Sequence, residues 1–280
     1  MWKGQRRKDT SKPRVLALAN QKGGVGKTTT AINLGTALAS IGERVLVIDL
    51  DPQGNASTGL GVPKSIEART PSTLEVLLGE ATIADAEQAT TIERMNVVPA
   101  NIDLMAVERD PNTRQSRNFA LRDALRAHAA TRADGDEETP TYVLIDCPPS
   151  LNVLTLNAMC AADAVIVPLQ CEFFALEGLS LLVDTIEQVR DHLNPNLNIQ
   201  GVILTMHDGR QVLSQQVEED VRAFLGKTVY SNTIPRNVTI SEAPSHGLPV
   251  LVYDMHCKGS QAYIAVAKEL IRRERGLEAA

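Results

Sequence analysis

Residues 14–34 read RVLALANQKGGVGKTTTAINL, and this stretch decides the fold. An apolar run, Arg14–Ala19, ends at a glycine-rich loop, and the loop opens into a segment of helical period, Thr28–Ile41. Strand, loop and helix N-terminus in this order make a phosphate site: the glycines let successive backbone N–H groups converge, and the helix dipole favours negative charge. Within Gly23, Gly24, Val25, Gly26, Lys27, Thr28 and Thr29, Lys27 is expected to reach the β- and γ-phosphates of a nucleotide and Thr28 to ligate Mg²⁺. The usual first glycine of such a loop is replaced, because Lys22 stands near its start. One cation already serves the phosphates and would repel a second, so the charge of Lys22 is useful if it reaches the phosphates of a neighbouring subunit.

Outward from this stretch, short runs rich in Val, Ile and Leu recur at Arg44–Leu50, Met95–Ala100, Tyr142–Asp146, Ala164–Leu169 and Ile199–Thr205. They do not alternate, which is the pattern of strands buried on both faces. Helical period marks Arg117–His128, Leu176–His192, Val212–Leu225 and Ser260 to about Arg275. Alternating strands and helices predict an α/β fold, a P-loop NTPase with a mostly parallel twisted sheet and helices on both faces. Gly42 is placed to end the first helix in a left-handed conformation, and Ser72-Thr-Leu-Glu75 has the form of a capping box. The polar tract Thr131–Thr139 reads as an exposed loop. No linker divides the chain, so one domain is expected over residues 14–280, preceded by a basic flexible tail over 1–13.

Two acidic strand ends complete the site. Asp51 follows RVLVIDL and Asp146 ends YVLID, and both emerge at the carboxyl edge of the sheet, where open α/β folds bind ligands. Asp146 is the candidate to hold Mg²⁺, through water, and Asp51 to orient or deprotonate an attacking water. Asp49 competes for that second role, but one residue along a strand reverses a side chain's direction, which favours Asp51.

The whole chain has 280 residues, 43% hydrophobic and 22% charged, which fits a globular protein with a substantial core. No apolar run is long enough to span a bilayer, and the basic start has no signal-peptide core after it. The net charge of −6 implies that any nucleic-acid binding comes from a local patch. Cys147, Cys160, Cys171 and Cys257 form no CxxC pair, as expected for reduced thiols in a cytoplasmic protein.

KGGVGKTTTAINL at 22–34, DLDPQGNAS at 49–57, DCPPSL at 146–151, VPLQCEFFALEGL at 167–179 and IPRNVTISEAPSHGLPV at 234–250 together resemble the ParA/Soj-type chromosome-partition ATPases. The loop alone is also similar to that of MinD-type division ATPases, nitrogenase iron proteins and arsenite-pump ATPases; the later blocks separate them. The resemblance implies an ATP- and Mg²⁺-dependent sandwich homodimer in which Lys22 contacts nucleotide across the interface. By the same correspondence Lys27 binds phosphate, Thr28 and Asp146 serve the metal, Asp51 positions the hydrolytic water, and Pro235 and Asn237 flank the adenine.

It further implies a dimer that binds double-stranded DNA without sequence preference, is nucleoid-associated, and is released when a ParB-type centromere-binding protein stimulates hydrolysis. Arg210 and Arg236 match basic positions of that surface, and Arg222 and Lys227 extend it; Thr239 stands where relatives often carry a second arginine. The basic tail, counted with Arg14, is expected to be solvated. The alternative is a MinD-like membrane-associated ATPase, which the chain's end disfavours because it lacks a terminal helix with bulky apolar residues opposite a basic face.

Overall fold

The alternating segments fold into three layers, a sheet between two sets of helices. The computed structural model describes residues 12–62, 70–109, 118–131 and 139–276. Strands are β1 (Arg14–Leu18), β2 (Val45–Asp49), β3 (Gln88–Ala89), β4 (Met95–Val98), β5 (Tyr142–Asp146), β6 (Ala164–Gln170) and β7 (Asn198–Thr205). Helices are α1 (Lys27–Ser40), α2 (Asn55–Gly59), α3 (Thr73–Leu78), α4 (Ile83–Ala86), α5 (Met105–Arg109), α6 (Ala120–Thr131), α7 (Val153–Ala161), α8 (Ala175–His192), α9 (Val212–Leu225), α10 (Val238–Glu242), α11 (Val250–Tyr253) and α12 (Lys258–Arg275).

The sheet runs β3-β4-β2-β5-β1-β6-β7 and is parallel except at the β3 edge, where β3 pairs antiparallel with β4. Side chains alternate between faces and both faces are covered. Leu16 and Leu18 of β1, with Val45 and Val47 of β2, join the core under α1 and α12. Ala17 of β1, with Leu46 and Ile48 of β2, joins the core under α7 and α8. That double burial is why these strands read as unbroken apolar runs.

Gly42 has φ 96° just past α1, and Ser72 and Glu75 form the reciprocal capping box at α3. The two-residue β3 is too short to carry a period, and α7 is buried around most of its circumference, so neither has the amphipathic signature that sequence reading needs. One expectation is corrected: Arg14 does not belong with the basic tail. It is 8% exposed, and its Nε donates to Glu274 Oε1 at 2.7 Å. Tyr142 Oη donates to the other oxygen of Glu274 at 2.9 Å, so β1, β5 and α12 are tied at the end of the sheet away from the glycine loop. The rest of the tail through residue 11 and most of the polar tract, 132–138, lie outside the described residues.

Candidate active site

β1 occupies the middle of the sheet between β5 and β6, and the loop after it passes over the carboxyl ends of the strands. Gly24 and Gly26 adopt φ 75° and 89°, left-handed conformations that a side chain would strain. Gly26 caps α1 without any side-chain acceptor, leaving the first N–H groups of the helix for an anion. Val25 is buried beneath the loop, and its carbonyl accepts a hydrogen bond from Thr205 Oγ1 at 2.8 Å, so it shapes the loop from behind.

Lys27 is buried, and its Nζ donates to the Lys22 carbonyl at 3.1 Å, bridging the loop. Burial lowers its pKa, opposed by the nearby Asp146, Cys147 and Asp51. Below the loop, β2 and β5 pair so that Asp49 stands opposite Asp146. Both are fully buried and their environments differ. Asp49 Oδ2 accepts from the Ser57 N–H at 2.9 Å and from its hydroxyl at 2.7 Å, and Oδ1 accepts from the Asp51 N–H at 3.1 Å. Burial still raises its pKa to about 6.

Neither oxygen of Asp146 has a hydrogen-bond partner among the described residues. Burial, then the charge of Asp49, push its pKa well up, while Thr28 and Lys27 pull it down. A buried carboxylate left without partners beside a threonine hydroxyl and a lysine is the environment a divalent cation or its waters would satisfy, so the residues fit Mg²⁺. Burial pushes the Cys147 thiol strongly up, which removes it as a nucleophile.

Asp51 leaves β2 at the rim. Its Oδ1 accepts from the Gln53 N–H at 2.9 Å, and the residue lines a cleft of about 590 Å³ together with Gly23, Gly24, Gly26, Lys27, Thr28 and Thr29. Pro235, Arg236 and Asn237 close the same cleft from the other side, and the buried Asn237 Oδ1 has no partner among the described residues. An amide acceptor waiting at one end, and N–H groups with a lysine at the other, match a molecule with a donor-bearing ring and an anionic tail. Gln53, Asn55 and Tyr263 also line the cleft. Sequence reading did not single them out, although Gln53 and Asn55 lie inside the DLDPQGNAS block it quoted.

Lys22 is apart from this group. Its ammonium pairs with the Glu172 carboxylate of its own chain, at 49% and 43% side-chain exposure. The four basic candidates do not form one cluster. Arg210 and Arg236 flank Asp208, and the Arg236 N–H donates to the His207 carbonyl at 3.1 Å. Arg222 lies toward the far end of the 14-residue α9, with the exposed Lys227 just beyond it. The Arg222 guanidinium is occupied by Glu218 Oε1 at 2.8 Å and the Tyr230 carbonyl at 3.1 Å, so it braces the chain after α9.

A family model described as an AAA domain matches residues 13–199. The chain is 61% identical over 266 residues to the chromosome partitioning protein ParA of Caulobacter vibrioides (strain NA1000 / CB15N), covering 95% of this chain and 97% of that protein. It is 46% identical over 257 residues to the sporulation initiation inhibitor protein Soj of Bacillus subtilis (strain 168), covering 92% of this chain and 98% of that one. Among solved structures, it is similar to a cobyrinic acid a,c-diamide synthase from Mycobacterium smegmatis with bound ATP analogue and magnesium. The TM-score is 0.76 at 41% identity, covering 93% of this chain and 95% of that chain.

Proposed function

The chain belongs to the ParA/Soj family of chromosome-partitioning ATPases, and from that premise we propose that it is an ATP-driven switch that pairs and captures DNA while the γ-phosphate is intact. The observation that carries the reading is the single cleft that joins the glycine loop, Lys27 and Asp51 to Pro235 and Asn237, above the unpartnered Asp146. ATP is the substrate, with its phosphates against the loop N–H groups and its base between Pro235 and Asn237. Thr28 and Asp146 would hold Mg²⁺, which when bound supplies charge that offsets the phosphates.

Lys27 neutralises charge that develops on the transferred phosphoryl group, from a buried position where water screens it little. Asp51 orients the attacking water and takes its proton. Lys22 reaches the nucleotide of a second copy, so that ATP becomes part of a homodimer interface. Lys22→Ala then keeps nucleotide affinity and loses ATP-dependent pairing.

Arg210 and Arg236, with Lys227 further along the surface, meet DNA phosphates. Each contact releases counterions, and pairing doubles their number, so affinity follows the nucleotide state. A ParB-type centromere-binding protein stimulates hydrolysis and ends the bound state, which places the working protein on the nucleoid.

The test is DNA binding with ATP, with ADP and without nucleotide at controlled ionic strength. Binding restricted to ATP and weakened by salt is expected; equal binding in all three states would overturn the switch. Anionic liposomes that sediment the ATP form, in place of DNA, would reverse the reading toward a MinD-like membrane regulator.

A further inference from the structure

The lysine that the proposed function assigns to a second subunit is already engaged within its own chain. Backbone contacts hold Lys22 on both sides: its N–H donates to Asn20 Oδ1 at 3.0 Å and its carbonyl accepts from Lys27 Nζ at 3.1 Å. Asn20 is itself anchored, with Nδ2 donating to the Pro168 carbonyl at 2.8 Å. The freedom left to Lys22 is therefore that of its side chain, whose ammonium lies on Glu172.

Glu172 is set just as firmly. It follows β6 in a tight turn, with its N–H donating to the Gln170 carbonyl and its own carbonyl accepting from the Ala175 N–H, both at 2.9 Å. Two rigid backbones therefore present one flexible cation to one carboxylate. That cation cannot serve Glu172 and the phosphates of a partner's nucleotide fully at once.

We infer that Glu172 is a positioning residue that parks Lys22 in the unpaired chain, so that forming the nucleotide-bridged dimer requires two Lys22–Glu172 pairs to open. The inference rests on the cross-subunit role proposed for Lys22. The pair is about half exposed, and an exposed ion pair of this kind holds by a factor of about 1.5 to 5 in equilibrium. A dimer opens two of them, so the brake on the monomer–dimer constant is the square, about 2 to 25-fold. ATP binding to a single chain is untouched, since neither side chain lines the cleft. The brake thus makes pairing more dependent on the bound triphosphate, which alone offers Lys22 a better partner.

The test compares wild type with Glu172→Gln, which keeps the side chain's size and removes its charge. In the nucleotide-free protein, Lys22 acylation by a water-soluble amine reagent, read by mass spectrometry, is expected to be about 1.5 to 5-fold faster in Glu172→Gln and normal in Glu172→Asp. Unchanged labelling would overturn the parked state. With a non-hydrolysable ATP analogue, sedimentation is expected to show Glu172→Gln pairing about 2 to 25-fold more tightly at unchanged analogue affinity. Equal or weaker pairing by Glu172→Gln while wild type pairs normally would overturn the brake and leave the sandwich dimer standing. Wild type that stays single with the analogue would remove the sandwich dimer, and the brake with it.

Discussion

The Arg210 guanidinium closes on the Asp208 carboxylate through two hydrogen bonds, Nε to Oδ1 at 3.0 Å and Nη2 to Oδ2 at 3.1 Å. Arg236 lends its charge to the same carboxylate. The acidic neighbour therefore cancels part of the positive potential that the proposed DNA surface needs.

Replacing Asp208 with Asn frees that potential. Asp208→Asn is expected to tighten ATP-dependent DNA binding and steepen its salt dependence by up to about two counterions per dimer, while Arg210→Ala weakens binding and flattens the slope. The bonds from Arg210 hold the Asp208 pKa down to about 2. A lowered carboxylate pKa means that the pair is present above the ordinary carboxylate range and is lost only as pH falls through about 2. The ratio of mutant to wild-type DNA affinity should thus stay constant from pH 5 to 8. Fluorescence anisotropy at several salt concentrations reads both; a ratio that collapses on mild acidification would refute the pairing.

Asp51 reaches the cleft while its backbone and side chain are fixed by Asp49 and Gln53, so removing its carboxylate should leave the fold intact. Asp51→Ala is expected to bind ATP normally and to lose hydrolysis by about 10²-fold or more, the usual scale for a proton-accepting group. Phosphate release under partner-stimulated conditions measures it. Turnover within a factor of two of wild type would move the role to another residue.

Asp146 and Asp49 are buried carboxyls at opposed positions of β2 and β5; burial raises the pKa of both, and the charge of Asp49 raises that of Asp146 further. Asp146→Asn removes a carboxyl whose ionisation burial and Asp49 oppose. It is expected to stabilise the nucleotide-free protein by about 1 to 3 kcal/mol and to abolish the added stabilisation that Mg²⁺ gives with ATP. Thermal melts with ATP, with and without Mg²⁺, separate the two effects. A mutant that melts lower without nucleotide would show that Asp146 is satisfied in a way the fold does not display.

Gly201 lies in β7 against the ring of Tyr230, and a Cβ there would also stand 2.8 Å from the Thr228 carbonyl. Gly201→Ala is expected to cost about 1 to 3 kcal/mol through overpacking, because the ring is fully buried and has nowhere to retreat. Nucleotide affinity at low temperature should be unchanged, since the clash is remote from the loop. Chemical denaturation with an unchanged midpoint would contradict it.

The glycine loop was legible in the sequence because its physics is local: β1, the glycines and the start of α1 are contiguous, and strand, turn and helix follow from residue type and order. The strands were legible for a related reason, since burial on both faces leaves continuous apolar runs. Their continuity through Asp49 and Asp146 also brought those residues to the sheet's carboxyl edge. What the sequence could not decide was which charges are free. Arg14, taken for part of a solvated tail, is buried against Glu274, 260 positions away. Lys22 meets Glu172 across 150 positions, and Arg222 is bonded to the carbonyl of Tyr230 rather than projecting freely. Charge is a property of a residue, but its availability depends on partners that only chain folding assembles, and a carboxylate within 4 Å competes for it. Sequence therefore determined the chemistry and the edge of the sheet where it sits, and the tertiary structure decided which side chains remain available to perform it.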